Sequence, residues 1–247
     1  MSSREPSLFA IADLHLPGGQ KKPMDVFGIH WKDHFEQISR DWKERVAEED
    51  VVLIPGDISW AMQLSEVLPD LYSIAALPGR IILLRGNHDY WWGSLCQLRA
   101  VLPENMHAIQ NDAFDLGFCV ICGTRGWEIP PEKGADPQDV KIYRREVGRL
   151  RLSLLAAKRI SEGRPIVAMM HYPPLFPEMK EQGTEMTRIL SEAGVSRCVY
   201  GHLHGPHTRK GLHEIIDGVR YDLVSCDSLG FRLMEVTPEE SNDCFNW

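Results

Sequence analysis

Residues Ile81 to Asp89 read Ile-Ile-Leu-Leu-Arg-Gly-Asn-His-Asp, an apolar run that stops on a glycine and three polar side chains. Four consecutive apolar residues, two of them β-branched, suit a strand covered on both faces. Gly86 lets the backbone turn sharply at its end. Asn87, His88 and Asp89 are then delivered together at the strand's C-terminal edge, where open α/β sheets place their ligands. Taken alone, the segment reads equally well as a polar turn after a strand.

The same grammar recurs four times. Leu8 to Ala12 ends in Asp13-Leu14-His15, and Val51 to Ile54 ends in Pro55-Gly56-Asp57. Ile166 to Met170 ends in His171-Tyr172-Pro173-Pro174, and Cys198 to Tyr200 ends in Gly201-His202-Leu203-His204. With His88 of the first stretch, the five ends carry five of the chain's ten histidines, which random placement would not achieve.

Between the runs lie helical patterns, so the class is α/β. Trp31, Phe35, Ile38, Trp42 and Val46 mark an amphipathic helix, on which His34 rides as a structural residue. Ala61 to Leu77 follows Asp57 as a second helix, stopped by Pro78-Gly79, and Trp92 to Leu102 is a third. Asp139 to Ser161 repeats Val140, Tyr143, Val147, Leu150 and Leu154 as a long helix covering the sheet. Phe118 to Gly123 is another central strand, with Arg125 just beyond it as a candidate substrate contact or an ordinary surface residue. Leu212 to Ile216, Arg220 to Cys226 and Phe231 to Val236 suggest a terminal antiparallel meander. Pro17 to Trp31 is an excursion without a period, long enough to be a functional loop or lid. One domain over 1–236 and a polar tail over 237–247 account for the chain.

Hydrophobic content of 43% and charged content of 25% are ordinary for a globular protein. No apolar run approaches the roughly 18 residues of a membrane span. Met1 to Pro6 lacks the apolar core of a signal peptide, which favours the cytoplasm. Cys119 and Cys122 have C-x-x-C spacing but lie in a strand-like run with no second pair, so buried thiols are expected. A net charge of −8 argues against a broad nucleic-acid-binding face. An acidic protein that handles phosphates needs a local positive centre, which bound metals supply.

Taken together, Asp13-x-His15, Gly56-Asp57, Gly86-Asn87-His88-Asp89, His171 and Gly201-His202-x-His204 resemble the calcineurin-like metallophosphoesterase superfamily. All five blocks stand in that family's order, from residue 8 to residue 204. The resemblance implies a two-sheet αββα sandwich with two metal ions at the strand ends. Carried over by position, Asp13, His15, Asp57 and His204 would hold the first ion. Asp57, Asn87, His171 and His202 would hold the second, with Asp57 bridging.

The residue types make chemical sense on their own. Imidazole and carboxylate suit divalent Mn, Fe, Zn or Ni, with Mn favoured, whereas an oxygen-only set would suit Mg or Ca. A bridging carboxylate holds two cations roughly 3.5 to 4 Å apart, and such ions lower the pKa of bound water from 15.7 toward about 7. The bridging hydroxide would then attack a phosphate mono- or diester. His88 follows a ligand without being one; by resemblance it protonates the leaving oxygen, a role worth roughly 10² to 10⁴ in rate. Asp89 either orients His88 or caps the next helix.

Two features depart from the serine/threonine phosphatase branch. Asp57 is followed by Ile58-Ser59-Trp60 instead of Asp-Arg-Gly, whose acid steadies the histidine and whose arginine grips phosphate; Trp60 can do neither, so protein phosphatase activity is not expected. The paired Gly-His-x-His is the form of the wider superfamily, which includes nucleases and cyclic-nucleotide phosphodiesterases. His30, His107 and His213 have no partner pattern, while His207 is a second candidate substrate contact. Tyr90, Trp91 and Trp92 either stack a base or anchor the core. The expected partner is a small or medium soluble phosphate ester. The alternatives are a phosphodiesterase or nuclease, with nucleic acid the less favoured partner, and a scaffold that has lost turnover. Scaffolds usually lose ligands, and this chain has lost none.

Overall fold

A computed structural model describes residues 4–19 and 22–238. Eleven strands and five α-helices form within them. The first half runs β1 (Leu8–Ala10), α1 (His34–Arg45), β2 (Val51–Pro55), α2 (Leu64–Ala75), β3 (Arg80–Leu84), α3 (Leu95–Arg99) and β4 (Met106–Ile109). The second runs β5 (Ala113–Asp115), β6 (Val120–Thr124), α4 (Pro137–Ser161), β7 (Ile166–Met170), α5 (Glu185–Glu192), β8 (Val195–Tyr200), β9 (His213–Ile216), β10 (Val219–Leu223) and β11 (Met234–Glu235).

The strands make two sheets, in the orders β11-β1-β2-β3-β4 and β5-β6-β7-β8-β10-β9. Their central strands are parallel and buried on both faces, which is why each reads as an unbroken apolar run. Alternate side chains of one strand serve two cores. Leu8, Val51, Leu53, Ile82 and Leu84 meet Ile121, Val167, Met169 and Val199 between the sheets. Phe9, Val52, Ile54, Ile81 and Leu83 face outward beneath Ile38 and Trp42 of α1 and Leu71 of α2. Leu150, Leu154 and Met186, from α4 and α5, cover the outer face of the second sheet. The layer order is the expected αββα sandwich. Cys119 belongs to the core between the sheets and Cys122 to the core under α4, so the two thiols point apart.

The C-terminal meander expected from alternation does not form. Only β9 and β10 make a hairpin; β10 lies parallel to β8, and β11 crosses to the other sheet to pair with β1, Phe9 opposite Glu235. Alternation specifies two faces for a strand, not the partner at its edge. On the way, Ala12 donates to the Val224 carbonyl and Cys226 to the Ala12 carbonyl, so residues 224–233 pass over the end of β1. Two short edge strands, β4 and β5, and helix α5 were not evident from the sequence. Of the tail, Thr237 accepts a hydrogen bond from the Leu8 amide, while 239–247 lie outside the described residues, as do 1–3 and residues 20–21 of the 17–31 loop. Among the described residues no helix is long and apolar enough to cross a membrane.

Candidate metal centre

The ends of β1, β2, β3, β7 and β8 converge on one edge of the sandwich, and the backbone there is bent into unusual shapes. Asp13, His15, Asp57 and His202 all have positive φ, between 45° and 74°, a conformation non-glycine residues take only where surroundings enforce it. Asp89 is the enforcer for two loops. Its buried carboxylate accepts from the amides of Asp57 and Ile58 at 2.9 Å and of Gly86 at 2.7 Å, and from Trp91 Nε1 at 3.1 Å. It neither touches the His88 ring nor caps a helix; it ties the Asp57 turn to the Asn87 turn. Gly86 is required by proximity, since a Cβ there would lie 2.1 Å from Asp57 Oδ1.

Seven side chains then face one another. Asp57 Oδ2 lies 3.8 Å from His15 Nε2 and 3.5 Å from His171 Nε2. His15 Nε2 and His204 Nε2 are 3.4 Å apart, and His204 Nε2 is 3.5 Å from Asp13 Oδ1. Asn87 Oδ1 meets His171 Nε2 at 2.6 Å and His202 Nδ1 at 3.0 Å. Asp13 is held from behind by the His202 amide, at 3.0 and 3.1 Å from its two oxygens. Ligand atoms of Asp13, His15 and His204, and likewise of Asp13, Asp57 and His171, fall within 4.8 Å of one another.

The tautomers are set from outside the cluster. His171 Nδ1 faces the Pro55 carbonyl at 3.1 Å, so it must donate, and Nε2 presents a bare lone pair to the Asn87 carbonyl oxygen. His204 Nδ1 points to Asp227 Oδ1 at 3.1 Å, which turns its Nε2 inward in the same way. Acceptors facing acceptors at such distances repel one another unless a proton or a metal cation lies between them. The donor set therefore fits divalent metal.

Without a metal a proton takes that place on His204: burial disfavours its charge, but Asp13 and Asp227 outweigh it and raise this imidazole to about 10. Burial opposes the charge on Asp13, but His204, His171 and His15 outweigh it and hold this carboxyl below the usual range. Burial and the neighbouring Asp13 push Asp57 up. His202 is pushed down to about 3, by burial first and by the adjacent His171 second.

The family model for calcineurin-like phosphoesterases matches residues 7–206. The chain belongs to this family. No curated protein matches it in sequence. Among solved structures, the phosphopantetheinyl hydrolase of Mycobacterium tuberculosis aligns with a TM-score of 0.58 at 17% identity, over 96% of this chain and 97% of that one. TT1561 of Thermus thermophilus aligns with a TM-score of 0.55 at 14% identity, over 94% and 98%. These likenesses are ones of fold.

The remaining candidates fall in three places. His88 stands at the rim of the cluster, its amide donating to Asp57 Oδ1 at 2.8 Å. Its ring lies 4.6 Å from the Trp60 ring, which also stacks on His15 at 4.7 Å. Both border a cavity of about 320 Å³ walled by Met24, Phe27, Trp31 and Trp60. The 17–31 loop thus supplies most of that apolar wall. Arg125 lies in a separate cavity with Arg85, its guanidinium 4.8 Å from the Trp127 ring. His207 sits on an exposed turn, its amide donating to the His204 carbonyl. Trp91 and Trp92 are core residues and cannot stack a base, whereas Tyr90 is 54% exposed beside His88.

Asp227 was not anticipated. It follows a strand-like run, but Cys226-Asp227-Ser228 has no ligand spacing. The signal would have been a lone acid after a buried run, at a chain crossing that sequence does not reveal.

Proposed function

We propose that this protein is a dinuclear metal-dependent phosphoesterase, hydrolysing a phosphate mono- or diester of a small or medium soluble molecule by attack of water at phosphorus. The observation that carries the reading is Asp57 Oδ2, one carboxylate oxygen turned toward a histidine of each ligand set. Asp13, His15, Asp57 and His204 would hold one ion and Asp57, Asn87, His171 and His202 the other; the mixed imidazole and carboxylate set suits Mn, Fe, Zn or Ni, and Mn is our first choice. When bound, the ions supply Lewis acidity toward the phosphoryl oxygens and the attacking water.

The chain's own residues do the rest. Asp89 fixes the spacing of the Asp57 and Asn87 turns, and Asp227 and the Pro55 carbonyl aim two imidazoles. Trp60 sets the plane of the His88 ring by packing. His88 gives its ring proton to the departing oxygen, whose organic part enters the apolar cavity walled by Met24, Phe27, Trp31 and Trp60. That wall suits an aryl or alkyl leaving group and excludes water from it. Five described cysteines are free, which suits a reducing, cytoplasmic setting.

The test is hydrolysis of p-nitrophenyl phosphate against bis-p-nitrophenyl phosphate by protein stripped of metal and reloaded with Mn, with metal per chain measured alongside. About two ions and turnover of either ester support the reading, and their relative rates choose monoester or diester. A phosphopantetheinyl ester belongs in the same panel. No metal and no turnover would make the chain a scaffold.

A further inference from the structure

A second cavity, of about 160 Å³, opens beside the metal-ligand cluster, between the ends of β3, β4 and β6 and the flank of α4. At about 30 Å³ per water it holds about five waters, room for one phosphate-sized group and little else. Arg85, Arg125, Arg145 and Arg149 line it with a single acid, Glu146, so three positive charges are in excess.

Glu146 is already spoken for. Its buried carboxylate accepts from Thr124 Oγ1 at 2.7 Å and from Arg149 Nη1 at 2.6 Å, while Arg145 Nε stays 4.0 Å away. Arg85 Nε is buried with no hydrogen-bond partner. Arg125 is half-buried against the Trp127 ring, with Glu146 as the opposite charge acting on it and the like charges of Arg85 and Arg149 opposing. Buried guanidinium donors without an acceptor are costly to the fold, and their planar forks match the oxygens of a tetrahedral oxyanion.

The cavity is joined to the metal centre through the backbone of two of its arginines. Arg85 is two residues before Asn87, and the Arg125 carbonyl accepts from the His171 and Tyr172 amides at 3.0 and 2.9 Å. We infer that this arginine cavity is an anion subsite that takes a second phosphoryl group carried by the ester cleaved at the neighbouring cluster. The inference rests on the proposed function for its substrate role, while the anion site stands on the arginines alone. The substrate class becomes a bisphosphate whose two groups are a short span apart.

The number of inorganic phosphates bound per chain tests it, measured by calorimetry on the full, Mn-loaded protein. Wild type should bind one more phosphate per chain than Arg85→Gln or Arg125→Gln, and Arg125→Lys should recover part of the lost affinity. If the metal centre binds no phosphate, that difference of one is still read, so failure of the proposed function is distinguished from failure of the subsite. Equal stoichiometry in wild type and in folded variants, checked by circular dichroism, overturns the inference. The substrate role is read from diol bisphosphates of two to six carbons against their monophosphates. At one chain length kcat/KM should be at least tenfold higher for the bisphosphate, through KM, and the ratio should fall toward one in both variants. A ratio of one at every length would make the cavity a site for free phosphate and overturn the substrate role.

Discussion

Asp227 Oδ1 lies 3.1 Å from His204 Nδ1, and Asp227 Oδ2 accepts from the Gly205 amide at 2.8 Å. One carboxylate thus orients an imidazole and fixes the turn that carries it. A carboxylate behind a ligating histidine raises its basicity and holds its tautomer, and losing it typically costs 10- to 100-fold in metal affinity or activity. Asp227→Ala should therefore weaken binding of one Mn by about that factor while the second ion stays. Competition with a chromogenic chelator reads it; unchanged affinity at both sites would remove Asp227 from the metal centre.

Asp57→Asn should lower occupancy of both ions together. The Asp57 side chain faces His15 and His171 at once, through the same Oδ2 atom. Retention of two tightly held metals, measured by elemental analysis after dialysis, would sink the bridging assignment. Loss of one ion alone would reassign Asp57 to a single site.

His88→Asn should keep both metals and slow alkyl esters by roughly 10² to 10⁴ while p-nitrophenyl esters lose much less, since a good leaving group needs no acid. Trp60→Leu should show the same leaving-group pattern more weakly, because it frees the His88 ring without removing it. Trp60→Phe should restore most of the rate. An equal loss on both ester types in His88→Asn would count against its role as the acid.

What could be read from sequence was what the backbone dictates locally. A doubly buried parallel strand must be apolar throughout, and a ligand at its end must follow a turn, so Asp13, Asp57, Asn87, His171, His202 and His204 each carried their own context. The order of two sheets followed from that context only through resemblance. Asp227, Trp60 and the arginine cavity were not legible, because each acts through a partner far away in the chain. Asp227 meets His204 only because the chain leaves the second sheet after β10, and Arg85 shares a cavity with Arg149 only because α4 lies across β6. The expected terminal meander failed for the same reason: alternation named the faces and left the pairing open.

The chain crossing that delivers Asp227 is pinned by Asp41 of α1, and this makes stability depend on acid. The Asp41 carboxylate accepts from the Leu233 amide at 2.8 Å, from Arg232 Nε at 3.0 Å and from Arg45 Nη1 at 3.1 Å. Burial opposes its charge, but these donors outweigh it and hold the carboxyl below its usual value. A lowered folded pKa means stabilisation that is complete above the unfolded value of about 3.9 and is lost as pH falls through the folded value. Losing one such charge-assisted hydrogen bond costs about 1.5–3 kcal/mol, or roughly 3–12 °C in a domain of this size. Asp41→Asn should therefore melt that much lower than wild type at pH 7, and the gap should close as both are taken below about pH 4. A gap that stays constant from pH 7 to pH 3 would show that the ionised carboxylate contributes nothing and that only the shape of the side chain matters.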